Sequence, residues 1–176
     1  MTPMKKLFLS LTSAVLLSVS MPMFNAQAAL PTGAQAPDFQ LQGALAGKPL
    51  TFSLKQALQK GPVVLYFFPA AFSKGCTIEA HAFAEATDDF KKLGATVIGV
   101  TAGNVDQVDE FSKLECRDKF TATADPGAKV ASEYQTLMQM NAKTLSDRTS
   151  FVIAPDGKIL LSYTDRNPET HIQKTM

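Results

Sequence analysis

The sequence predicts a mixed α/β fold, with a mixed central sheet and helices on both faces. Two observations carry this. Short β-branched and aromatic runs at 63–68 and 95–100 alternate with longer stretches of helical periodicity, as strands joined by helical crossovers do. Further on, two β-rich runs at 149–154 and 158–163 flank Asp156-Gly157, the strongest hairpin signal in the chain.

Each element follows from local chemistry. Residues 29–37, rich in Ala, Gly and Pro, read as an extended arm, and 38–41 and 50–52 as short edge strands around a turn at 43–47. A helical turn or two at 54–59 stops at Gly61-Pro62. The run 63–68 is the central strand, broken by Pro69. A short loop through Lys74-Gly75 leads to a helix that starts about Cys76, turns Phe83 and Phe90 inward, and ends near Lys92 before Gly94. A strand at 95–100 precedes an amphipathic helix at 106–116, with Val108, Phe111 and Leu114 at helical spacing. A short strand at 120–124, the turn Asp125-Pro126-Gly127 and a small helix at 129–134 come next; 138–146 reads as loop. After the hairpin, Asn167-Pro168-Glu169 suits an N-cap followed by proline at the first helical position. That helix has barely begun when the chain stops at Met176.

The bulk composition narrows the partners. A chain of 176 residues, 45% hydrophobic and 19% charged, suits one domain with a real core. A net charge of +1 with scattered Lys and Arg gives no electrostatic basis for binding nucleic acid or an anionic membrane. The N-terminus reads separately. Lys5-Lys6, an apolar run over 7–19, Pro22 and then Ala26-Gln27-Ala28 describe a secretory signal peptide over 1–28, cleaved after Ala28. The apolar run is shorter than the roughly 20 residues a spanning helix needs. The expected product is a mature domain over 29–176, in a bacterial periplasm and free of the membrane once the leader is removed.

Two cysteines are present, Cys76 and Cys116. In an oxidising compartment a pair invites a disulfide, and a purely structural bridge would contribute roughly 4 kcal/mol in the chain-entropy account. Two cysteines are too few for a zinc site, and His81 and His171 add no ligand spacing, so no metal or cofactor is expected. Cys76 lies where a strand hands over to a first helical turn. Unpaired N–H groups and the positive end of the helix dipole there favour a thiolate.

Pro69, Ser73 and Cys76 stand as P-x-x-x-S-x-x-C, which resembles the active-site signature of the peroxiredoxins. The segments GCTIEA, DPGAKVASEY and DRTSFVIAPDGKI are similar to the bacterioferritin comigratory protein branch, and the likeness runs from GAQAPDF at residue 33 to NPETH. A thioredoxin-like fold suits the element order, as other small α/β layouts also would; the resemblance implies the thioredoxin-like one. It further implies a peroxidase for hydrogen peroxide and small organic hydroperoxides, recycled by a thioredoxin-like or glutaredoxin-like reductant, and a monomer. Cys76 would be the peroxidatic cysteine. Ser73 and Arg148 would donate to the peroxide, and Pro69 would shield the pocket. Glu79 would hold the guanidinium from behind, with Thr77 beside it.

Physical chemistry asks for such a donor set. An ordinary thiol is about 3% thiolate at pH 7, so complete ionisation gains only about thirtyfold. The rest must come from donors aimed at the charge that builds on the departing oxygen. Taken singly, Pro69 could simply end a strand, Ser73 cap a helix, Glu79 suit the dipole and Arg148 be a solvated arginine. Their joint spacing favours the catalytic reading.

The chain departs from the resembled pattern in two places. His81 stands five residues after Cys76, where many members of the branch carry a resolving cysteine; an exposed helix histidine is expected there. Cys116, at the end of the next helix, is then the candidate resolving partner through an intramolecular disulfide. Alternatively it is packing in a one-cysteine enzyme. The second departure is the last helix, which the family usually completes. Other functions compete. A thioredoxin-type oxidoreductase needs a second cysteine where Glu79 stands, a copper-delivering relative needs one where Ala80 stands, and a non-catalytic domain would be stapled by Cys76 and Cys116.

Overall fold

The computed structural model describes residues 28–176, so the expected leader falls outside the described residues except for Ala28. Nine strands and five helices follow in the order β1 (Gln40–Leu45), β2 (Lys48–Ser53), α1 (Leu54–Leu58), β3 (Val63–Ala70), α2 (Lys74–Lys92), β4 (Thr96–Gly103), α3 (Val108–Leu114), β5 (Thr121–Ala124), α4 (Lys129–Glu133), β6 (Leu137–Met140), β7 (Lys143–Ser146), β8 (Thr149–Ile153), β9 (Ile159–Thr164) and α5 (Thr170–Thr175). Seven strands form one mixed sheet in the order β2-β1-β5-β4-β3-β8-β9. β3, β4 and β5 run parallel, while β8 pairs antiparallel with β3 and β1 with β5.

The central strand β3 is buried on both faces, and its side chains alternate between two apolar layers. Val63, Leu65 and Phe67 pack with Leu54 and Ala57 of α1 and Val130 and Ala131 of α4. Val64, Tyr66 and Phe68 face Phe83 and Phe90 of α2 and Phe111 of α3. Helices therefore cover both faces of a mixed sheet. Among the described residues, no helix is long and apolar enough to cross a membrane.

Several sequence expectations are corrected. Pro69 does not break β3, because the ladder continues to Ala70 opposite Gly103 and proline is tolerated near a strand end. The first hairpin turns at Ala46-Gly47 rather than over 43–47, and β1 is an interior strand. The stretch 138–146, read as loop, is the hairpin β6–β7. Its turn, Asn141-Ala142, has φ of 51° and 60°, a conformation normally announced by glycine. The helix expected over 106–116 splits into a 3-10 turn (Val105–Gln107) and α3, which stops at Leu114. Leu114, expected inside, is 50% exposed. At the C-terminal helix Asn167 is not the formal cap, but its side chain accepts from Glu169 N–H at 3.0 Å.

Candidate active site

The site lies where β3 hands over to α2. The connecting loop is fixed at both ends: Asn104 Nδ2 donates to the Ala71 carbonyl at 2.8 Å, and Phe72, with φ of 62°, packs edge-on against Phe111. Ser73 takes the N-cap position of α2, yet its hydroxyl makes no capping bond. The oxygen that would ordinarily satisfy the helix end is left for another partner. Cys76 is the third residue of α2, so its N–H is one of the first-turn donors without an intrahelical acceptor. Its thiol is free and fully buried.

Arg148 reaches the same place from the other side of β3. The antiparallel register, Phe67 opposite Thr149, brings the residue before β8 to the end of β3 from which α2 departs. Ser146 Oγ donates to the Phe68 carbonyl at 2.9 Å and secures that approach. Arg148 is 7% exposed, so it is not a solvated arginine. Its Nη2 lies 3.6 Å from Cys76 Sγ, and its Nη1 donates to Glu79 Oε2. One planar fork thus spans a sulfur and a carboxylate. Gly75 makes the space: a Cβ there would lie 2.9 Å from Arg148 Nη2.

The electrostatics follow from burial. Desolvation works to lower the guanidinium, but Glu79 and Cys76 outweigh it and hold Arg148 above its ordinary value. Burial pushes the fully enclosed Glu79 carboxyl up to about 8, with Arg148 opposing the rise. Glu79 Oε1 and Arg148 Nε are buried without hydrogen-bond partners among the described residues. Pro69, Ser73 and Arg148 line an open cleft of about 410 Å³ together with Met138, Met140 and Arg166.

The structure therefore brings Pro69, Ser73, Cys76, Glu79 and Arg148 together. Thr77 is half-buried; its N–H donates to the Ser73 carbonyl at 2.9 Å, and its hydroxyl bonds to none of them. Cys116 is free and buried, and belongs to the same apolar layer as Cys76. It lies beyond α3, past the cap residue Glu115, rather than at the helix end. Burial, and then Glu115, raise its thiol well above the ordinary value. His81 is not a solvated histidine: its Nε2 meets Glu115 Oε2 at 2.6 Å. His171, which sequence reasoning left without a role, is fully buried behind Glu79. Its place in a short polar segment at the chain end gave no sign of burial. Among the described residues no cluster of three or more His, Cys, Asp or Glu side chains could hold a metal ion.

A buried cysteine at the start of a helix, touched by a guanidinium on a thioredoxin-like sheet, defines a peroxiredoxin. Residues 32–162 match the AhpC/TSA family, and the chain belongs to that family. It is 33% identical over 145 residues to a chloroplastic peroxiredoxin Q of Sedum lineare, covering 82% of this chain and 75% of that protein. It is 35% identical over 127 residues to the peroxiredoxin Q of Populus jackii, covering 72% of this chain and 58% of that one. Among solved structures it is similar to peroxidoxin BcpB from Mycobacterium tuberculosis, with 29% identity and a TM-score of 0.73 over 82% of this chain and 92% of the other. These likenesses support the branch expected from the sequence.

Proposed function

We propose that the protein is an exported, monomeric thiol peroxidase in which Cys76 reduces hydrogen peroxide or an organic hydroperoxide and Cys116 resolves the product. The observation that carries this reading is the guanidinium of Arg148, held by Glu79 and set 3.6 Å from Cys76 Sγ. Cys76 as thiolate attacks one peroxide oxygen, the O–O bond breaks, and the departing alkoxide or hydroxide takes a proton. Arg148, the Ser73 hydroxyl and the Cys76 N–H are the donors available to the charge that develops. Pro69 walls the cleft against water.

The resulting sulfenic acid condenses with the Cys116 thiol, forming the S–S bond and releasing water. A thioredoxin-like or glutaredoxin-like dithiol then reduces the disulfide. Both thiols are buried, so the 115–119 segment or the first turn of α2 must open locally for the sulfurs to meet. The basic, apolar and A-x-A run at the N-terminus supports export to a periplasm.

Peroxide consumption with dithiothreitol, compared among wild type, Cys76→Ser and Cys116→Ser, tests the assignment. Cys76→Ser loses all turnover, whereas Cys116→Ser keeps single-turnover reduction. Mass spectrometry after one equivalent of peroxide tests resolution. A persistent sulfenic or sulfinic acid on Cys76 beside a free Cys116 thiol would leave a one-cysteine enzyme.

A further inference from the structure

His171 is the buried titratable group that the scheme above leaves unused. It enters from α5, and its ring is enclosed on every side. Its Nε2 lies 2.9 Å from the Asp165 carbonyl oxygen, which can only accept, so the Nε2 proton is fixed. In the neutral ring Nδ1 is then a lone pair, accepting from Ser150 Oγ at 2.8 Å. The same Nδ1 lies 3.8 Å from Glu79 Oε1, the carboxylate oxygen without a partner. That separation is too long for a hydrogen bond, but two buried titratable groups so close titrate as a coupled pair rather than independently.

The other charged groups that face the ring come from the neighbouring strand ends and pull in opposite directions, Arg148 against Asp147 and Asp165. Arg148 and Asp147 precede β8, Asp165 follows β9, and the Tyr163 ring of β9 stacks edge-on at 5.0 Å. Lys174, on the same helix, is directed over the Tyr163 ring instead. Burial lowers the imidazole and raises the Glu79 carboxyl, which favours one titratable proton held by the pair over a separated ion pair. That proton also balances the buried cluster. A Cys76 thiolate and the Arg148 cation cancel, and Glu79 with His171 is neutral only when the two hold one proton.

We propose that His171 is a positioning residue of the peroxide site: by titrating as a coupled pair with Glu79, it sets the charge of the carboxylate that holds Arg148 against Cys76. The inference rests on the peroxidase reading of Cys76, and it adds a fourth member to the line Cys76–Arg148–Glu79. It gives α5 a part in the chemistry.

The test is the pH profile of Cys76 alkylation in the reduced full chain, with single-turnover peroxide reduction beside it. His171→Asn keeps a polar atom near the Nδ1 position but cannot carry the proton. The alkylation midpoint is expected to move up, and the peroxide rate at a pH below both midpoints to fall about tenfold for each unit of that movement. In a Glu79→Gln background the same substitution should change nothing further, because its route is gone. Fold-losses that multiply in the double variant, or a midpoint that stays put in His171→Asn, would overturn the proposal.

Ser150→Ala covers the case in which His171→Asn does not fold. It leaves the ring and α5 in place while freeing Nδ1 for Glu79, so the midpoint should move down; an unmoved midpoint is again a refutation. Alkylation needs no peroxide. A wild type that reduced no peroxide would defeat the peroxidase reading, while the alkylation profile would still decide the role of His171.

Discussion

Cys76 and Cys116 are equally buried in one apolar layer, yet their immediate neighbours have opposite charge. Cys76 sits in the first turn of a 19-residue helix with a guanidinium 3.6 Å from its sulfur. Cys116 sits past the end of α3, where burial and the adjacent Glu115 both disfavour a thiolate. Burial alone thus says little about a cysteine's reactivity; the sign of the nearest fixed charge separates the two. The same contrast suits a division of labour. The first thiol must be a nucleophile, and the second need only be delivered once the first has been oxidised.

The sharpest way to break the comparison is to remove the fork and keep the charge. Arg148→Lys retains a cation, but one ammonium cannot span Cys76 Sγ and Glu79 Oε2 as the guanidinium does. Single-turnover peroxide reduction should fall by roughly a hundredfold, the scale of losing one preorganised donor. Alkylation of Cys116 in the unfolded chain should not change. A loss under threefold would mean that a nearby positive charge is sufficient and the geometry is not.

A smaller perturbation reaches the same fork from the backbone. The Cβ of Gly75→Ala would lie 2.9 Å from Arg148 Nη2, so the guanidinium must shift by some tenths of an ångström. The far end of a long side chain can yield, so little stability is at stake. The expected outcome is an unchanged thermal midpoint with a peroxide rate lower by about tenfold, since small misplacements of reacting groups are expensive. A stability loss with a normal rate would show that Gly75 serves packing instead.

These two positions also mark what the sequence discloses. The strand–helix junction, the apolar run of 63–68 and the Asp156-Gly157 hairpin are written locally, in β-branched runs and turn residues. Cys76, Ser73 and Pro69 lie in one short motif and were legible with it. Arg148 was nameable only through the resemblance, because its burial depends on the pairing of β8 with β3. Gly75 and His171 were not legible at all: their roles come from atoms across the sheet, Arg148 in one case and Glu79 in the other. The β6–β7 hairpin was missed because its turn uses Asn141-Ala142 in the left-handed region without glycine.

The smallest expected effect concerns the Cys116 side of the comparison. Its loop is fastened to α2 by three side-chain pairs: a His81–Glu115 hydrogen bond at 2.6 Å and the ion pairs of Glu85 with Arg117 at 3.0 Å and Asp88 with Lys119 at 3.1 Å. The α2 members lie on one helical stripe, and the loop members alternate around Cys116. The loop is closed against a backbone cost, because Arg117 and Asp118 have φ of 50° and 59°, a region worth about 1 kcal/mol per residue to avoid. A strained segment secured by surface pairs should open more readily than the helix beneath it. His81→Leu removes the least exposed of the three pairs and should speed formation of the Cys76–Cys116 disulfide by about two- to fivefold, the range of a single weak pair. The first step, sulfenic acid formation, should keep its wild-type rate. Quenched mass spectrometry separates the two steps. An unchanged disulfide rate would place the opening motion in the first turn of α2 instead, and with it the barrier on the Cys76 side.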